Sequence, residues 1–186
     1  RRQRQMCIRD SIQTELMKLL VSGHPEMIRT AYETGLTSVF LPEFDCMMET
    51  PQNNPHHIYS VGDHTVHAVE TIASNPVLRL TMLLHDIAKP ETRTTDENGI
   101  DHFYNHNAVG ADLAKAALKR LKFDNQTTHM VTILIANHDI RFNDPLGTGR
   151  KHVRKIIHRV GADLFPYLLD VMEADISAQS DFMRLK

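Results

Sequence analysis

The segment formed by residues 75–90 constrains this chain more than any other. Asn75 and Pro76 open it, Val77, Leu78, Leu80, Met82, Leu83 and Leu84 follow, and His85 and Asp86 come directly after, with Pro90 beyond. Asparagine is a favoured cap and proline a favoured first helical residue, so the run predicts a helix starting here and stopping at Pro90. A helix this apolar belongs in a protein interior. Its end therefore carries an imidazole and a carboxylate into surroundings where an isolated charge costs far more than a domain can spare. Two arrangements meet that demand: a capping aspartate beside a satisfied core histidine, or a metal ion near the helix end. These two residues alone do not choose between them.

The rest of the chain is read in the same helical terms. Residues 12–23 place Leu16, Leu19 and Leu20 on one stripe before Gly23, and Pro25 starts a second helix that Gly35 closes. Residues 41–59 hold Pro42, Pro51, Asn53, Asn54 and Pro55 without periodicity and read as a linking loop. Longer helices are predicted over residues 61–74, 105–121, 125–138, 151–160 and 162–178, with a polar turn at Asp96, Glu97, Asn98 and Gly99. No strand alternation is sustained over six residues. The expected fold class is all-α, a helical bundle with a short helical N-terminal connector. At 186 residues the chain is one domain, or a domain with an appendage. Residues 1–11 carry Arg1, Arg2, Arg4 and Arg9 and look like translated sequencing-adapter DNA at the end of a metagenomic fragment. They are set aside as a non-native extension, with a basic frayed N-terminus as the alternative, and both ends of the chain are expected to be clipped.

Composition excludes several classes. No apolar run approaches the roughly 18 to 20 residues a membrane span needs, so no membrane partner is expected. The two cysteines, Cys7 and Cys46, form no CxxC pair and imply a reducing, cytoplasmic setting. A net charge of -2 gives no global reason to expect a polyanion. Twelve histidines with no tryptophan are unusual, because imidazole is both a common metal ligand and an acid or base near neutral pH. Where they stand is informative. His64 lies on the apolar face of one predicted helix, His85 and Asp86 end the next, His106 opens another, His138 and Asp139 close the one after, and Asp175 sits in the stripe of the last. Taken singly, each is as consistent with a solvated or packed side chain; the order across successive helices is what points to a shared site.

In that order His64, His85, Asp86 and Asp175 resemble the H…HD…D signature of the HD superfamily of metal-dependent phosphohydrolases, over most of residues 57–186. The stretches 55–59, 63–66, 83–90, 101–106, 123–125, 138–139 and 174–180 resemble more narrowly the HD domain of bacterial CCA-adding tRNA nucleotidyltransferases. Residues 12–50 resemble the helical neck joining it to the polymerase head. The Gly-rich segment and Asp-x-Asp pair of that head are missing, so nucleotide addition is not expected within these residues. The resemblance implies one divalent ion on His64, His85, Asp86 and Asp175. It implies a second on His106 and His138, with Asp139, bridged by Asp86. An imidazole and carboxylate set suits Mn, Ni, Co, Fe, Zn or Mg without choosing among them. The implied reaction is hydrolysis of a phosphoester on a nucleotide or RNA end. Asp86 and Lys89 are the expected catalytic residues, Lys89 as an electrostatic stabiliser; Lys89 fits equally a cation favoured at a helix C-terminus. The alternative is a non-catalytic tRNA-binding body with a structural metal. Arg150, Lys151, Arg154 and Lys155 form the one basic cluster, read either as a solvated face or as an RNA backbone contact. His56 and His57 are candidates for the pocket wall, whereas His24, His67, His102 and His129 read as ordinary surface or packing residues.

Overall fold

The computed structural model describes residues 2–53, 59–140 and 149–179, with side chains from residue 11 onward. Helix α1 (Arg2–Val21) is followed by a 3-10 turn at Pro25–Met27, then α2 (Ile28–Glu33), α3 (Thr37–Phe40) and α4 (Pro42–Glu49). The main body is α5 (Val61–Thr71), α6 (Pro76–Leu84), α7 (Lys89–Thr92), a hairpin of β1 (Arg93–Thr95) and β2 (Asp101–Phe103), α8 (His106–Arg120), α9 (Asn125–Asn137), α10 (Gly149–Val160) and α11 (Phe165–Gln179). The described residues are predominantly helical, in agreement with the expected class.

Local chemistry explains where these helices begin. Asn75 accepts from the backbone N–H groups of Val77 and Leu78 at the start of α6, Asp124 caps α9 through Thr127, and Ser60 caps α5 through Asp63. The Ser60 and Asp63 pair works in both directions, since the serine hydroxyl also donates to the Asp63 carboxylate. These caps fix the register of α5, α6 and α9.

Three expectations are corrected. The stretch taken as a linking loop contains α4. Pro42 occupies its first position, where a missing N–H costs nothing, and Phe44 and Met47 bury completely on one face. The helix expected to run to Pro90 ends at Leu84; residues 85–88 form a turn, and Pro90 sits in the first turn of α7 rather than stopping anything. The polar turn at residues 96–99 closes a hairpin pairing Arg93 with Phe103, Thr94 with His102 and Thr95 with Asp101, its strands too short to show alternation. The backbone of residues 2–11, set aside above, continues α1.

One core runs through both sequence segments. Leu16, Leu20, Ile28, Leu41, Phe44 and Met47 pack with Val61, Val69, Leu83, Leu118, Ile135 and Val171. A smaller cluster of Leu134, Ile156, Val160 and Leu168 joins α9, α10 and α11. Helix α5 packs on α4, α6 and α11, while α6 packs on α9 and α11, so their polar ends converge at one place.

Candidate metal centre

The site is assembled from the ends and inner faces of five helices. His64 projects from α5, His85 and Asp86 occupy the turn after α6, His106 is the first residue of α8, His138 is the C-cap of α9, and Asp175 comes from α11. Two sets of potential ligand atoms result, His64 with His85 and Asp175, and Asp86 with His106 and His138, each set lying within 4.8 Å of one another. Asp86 is 1% exposed and spans both sets. Its Oδ2 lies 3.1 Å from His85 Nε2 and 3.7 Å from His64 Nε2, and its Oδ1 lies 3.6 Å from His106 Nε2 and 3.8 Å from His138 Nε2. Asp175 Oδ1 stands 2.9 Å from His64 Nε2 and 3.7 Å from His85 Nε2.

The orientation of the rings tests whether this is a packed polar cluster or a metal site. His85, His106 and His138 each donate Nδ1–H to a backbone carbonyl three residues earlier, at Met82 (2.7 Å), Phe103 (2.8 Å) and Ile135 (2.7 Å). That bond fixes the tautomer and turns the Nε2 lone pair inward, the arrangement found behind metal-bound imidazoles. Nε2 of His64 then faces Nε2 of His85 at 3.2 Å, and Nε2 of His106 faces that of His138 at 3.3 Å. Lone pairs opposed at this range need a proton or a cation between them. The donor set, four imidazoles and two carboxylates, therefore fits divalent ions of the Mn to Zn series.

Electrostatics agrees. Burial works against charge on His85, yet Asp86 and Asp175 hold its pKa up to about 10. Burial likewise opposes ionisation of Asp86 and Asp175, but His85 and Lys89 around the first, and His64 and His85 around the second, keep both well below the usual carboxylate range. His106 moves the other way: burial lowers it more than Asp86 raises it, which favours the neutral, ligating form. The pocket is thus a strongly cation-seeking place.

Lys89 is nearly buried, with Nζ 2.8 Å from Asp86 Oδ2, 2.9 Å from Gln52 Oε1 and 5.3 Å from the centre of the Phe103 ring. Its proximity to Asp86 follows from the backbone turn that Lys89 N–H makes to the Asp86 carbonyl. A cavity of about 290 Å³ opens here, walled by Asp86, Lys89, His106, His138 and Asp175 together with the second hairpin strand. Asp139, one residue past the C-cap of α9, lines this cavity but is exposed and joins neither ligand set. Arg150, Lys151, Arg154 and Lys155 are exposed along α10, away from the ligand sets. His56 and His57 fall outside the described residues.

Sequence reasoning missed four contributors. Gln52 is buried and holds Lys89 from 37 positions away; nothing local marks it. Asp101 binds Arg93 at 3.0 Å, accepts from Thr95 and pairs with Asn53 through both backbone and side chain, fixing the hairpin beside the site. His102, read as ordinary surface, lines the cavity. Arg29 of α2 pairs with Asp63, the residue before His64, and so ties the N-terminal helices to a ligand-bearing element.

The family described as "Probable RNA and SrmB- binding site of polymerase A" matches residues 12–48, and the family described as "HD domain" matches residues 56–178. The chain is 34% identical over 174 residues to the CC-adding tRNA nucleotidyltransferase of Thermus thermophilus, covering 90% of this chain and 39% of that protein. It is 31% identical over 178 residues to the A-adding tRNA nucleotidyltransferase of Deinococcus radiodurans, covering 91% and 39%. A bifunctional uridylyltransferase/uridylyl-removing enzyme of Ruegeria pomeroyi is 27% identical over 143 residues, covering 64% of this chain and 14% of its own length. The chain therefore spans about two fifths of the length of the tRNA nucleotidyltransferases it matches. With a family match over most of its residues and the histidine and aspartate pattern gathered into one buried centre, the chain belongs to the HD domain family.

Proposed function

We propose that this chain is a metal-dependent phosphohydrolase acting on nucleotide or RNA-end phosphoesters, within a protein of the tRNA nucleotidyltransferase type. The observation that carries the reading is the shared carboxylate: Asp86 offers one oxygen to His64 and His85 and the other to His106 and His138. Divalent ions held by the two sets would supply Lewis acidity toward phosphoryl oxygens and acidify water for attack at phosphorus. Asp86 orients both sets. Lys89, anchored by Gln52, presents an ammonium at the cavity wall to meet charge developing on a phosphoryl oxygen. The three carbonyl acceptors take the Nδ1–H of His85, His106 and His138, which turns Nε2 of each ring inward toward the site. On α10, Arg150, Lys151, Arg154 and Lys155 give a tRNA backbone a run of phosphate partners, consistent with the RNA-related match over residues 12–48.

The test is hydrolysis of 2′,3′-cyclic AMP by the purified chain with Mn, Ni, Co and Mg added separately. Metal-dependent turnover abolished by Asp86→Ala, and reduced by Lys89→Ala with metal content retained, is the expected result. Bound metal at stoichiometric amount without turnover would instead favour a structural ion in a tRNA-binding body. An ion that binds only the folded chain has that stabilising role open to it.

A further inference from the structure

Among the described residues, Tyr104 is the one large aromatic side chain left open beside the candidate metal centre: it is 70% exposed and stands at the wall of the cavity that Asp86, Lys89 and His106 also line. Its ring lies parallel to that of His102, with centroids 5.4 Å apart and planes 9° from one another. An exposed aromatic shelf contributes little to folding, because it removes little apolar surface from water. This shelf is nonetheless held in place. His102 Nε2 lies 3.1 Å from Asp96 Oδ2, while Asp96 Oδ1 takes the backbone N–H groups of Asn98 and Ile100. On the same hairpin, Asp101 binds the half-buried Arg93 and the backbone of Asn53, so the hairpin cannot swing without breaking these contacts. Immediately after Tyr104 the chain passes through Asn105 in the left-handed conformation, φ 62°, and delivers His106 to the metal centre. Tyr104 and His106 are two residues apart, so their Cα atoms lie within about 7 Å of one another, and both side chains line the same cavity.

We propose that the His102 and Tyr104 stack is a nucleobase platform, so that the site recognises a nucleoside phosphoester by its base as well as its phosphate. The proposal rests on the phosphoester reading of the metal centre and adds to it the feature that separates nucleotides from base-free phosphoesters. The cavity, at about 290 Å³, is at the small end of ligand pockets and holds one nucleotide with any further chain outside. The described wall therefore takes either a mononucleotide or the terminal nucleotide of an RNA. A π-face serves every base, so discrimination among bases is modest. A rigid platform also gives binding without the cost of ordering a loop.

The test is calorimetric binding to the full chain loaded with Mn, using adenosine 3′-monophosphate and ribose 5-phosphate as probes. The nucleotide is expected to bind at least about 10-fold tighter than the sugar phosphate, within the range base stacking gives in alanine substitutions. Tyr104→Ala should erase that difference with metal content unchanged, and Tyr104→Phe should keep it. Equal affinity for the two probes, or an unaltered nucleotide affinity in Tyr104→Ala, overturns the platform. Base-dependent binding without hydrolysis of 2′,3′-cyclic AMP leaves the platform standing and overturns the hydrolytic reading instead. Hydrolysis at equal rates for 2′,3′-cyclic AMP and a base-free cyclic phosphodiester, with no Tyr104 effect, does the reverse. A short RNA ending in a 3′-phosphate, run beside the mononucleotide, identifies which source the mouth of the site prefers.

Discussion

At the residue scale the centre depends on a few side chains that hold others. Gln52 accepts from Lys89 and donates to the Tyr59 carbonyl, leaving the ammonium one remaining anchor at Asp86 if the amide is removed. Gln52→Ala should lower kcat for a phosphodiester about tenfold, equivalent to ~1.4 kcal/mol, with metal stoichiometry unchanged by elemental analysis. His85 sets the pH behaviour of the metal-free chain. Its folded pKa of about 10 exceeds the ordinary 6.5, so its contribution is fully present below pH 6.5 and is lost as the pH rises toward 10. Denaturant melts of the metal-free protein should therefore weaken over that interval. A bound divalent ion replaces the proton and should flatten or reverse the slope. His64 and Asp175 were legible as polar residues within apolar helical stripes, and His85, Asp86, His106 and His138 as polar residues at helix ends. Gln52 was not, since its role exists only through a contact 37 residues distant.

At the scale of elements, α4 and α5 meet more closely than side chains normally permit. A Cβ built on Gly62 would stand 2.7 Å from the Met48 backbone nitrogen, so no side-chain rotation relieves it. Gly62→Ala should destabilise the fold by about 1–3 kcal/mol. For a chain of this length that is about 2–4 °C of Tm per kcal/mol in a thermal melt. His64 lies two residues on, so the same variant should weaken metal binding, measured by competition with a chromogenic chelator. The helices with strong apolar runs were legible, as was the Asn75 cap. Helix α4 was hidden because Pro42 reads as a breaker wherever its position in a turn is unknown, and the hairpin because three-residue strands carry no period.

At the scale of the molecule, residues 12–48 and 56–178 match separate families yet bury their apolar residues together. Leu16, Leu20, Ile28, Leu41, Phe44 and Met47 are all inside that common core. Burying such a side chain stabilises by about 1.5–3 kcal/mol, and six of them approach the whole net stability of an ordinary domain, about 5–15 kcal/mol. A fragment limited to residues 57–186 should therefore lose its cooperative melt and bind a hydrophobic dye. A sharp transition at the original Tm would show the body to be self-sufficient. The ion pair between Arg29 and Asp63 carries a further consequence. Any ligand of the N-terminal helices that alters the hold on Asp63 alters the presentation of His64, and thermodynamic reciprocity then forbids one-way communication. If the proposed RNA contact and the proposed ion are both engaged, whatever factor RNA imposes on metal affinity, metal must impose on RNA affinity, so the ionic state of the centre would act as a rheostat for the grip on the polynucleotide.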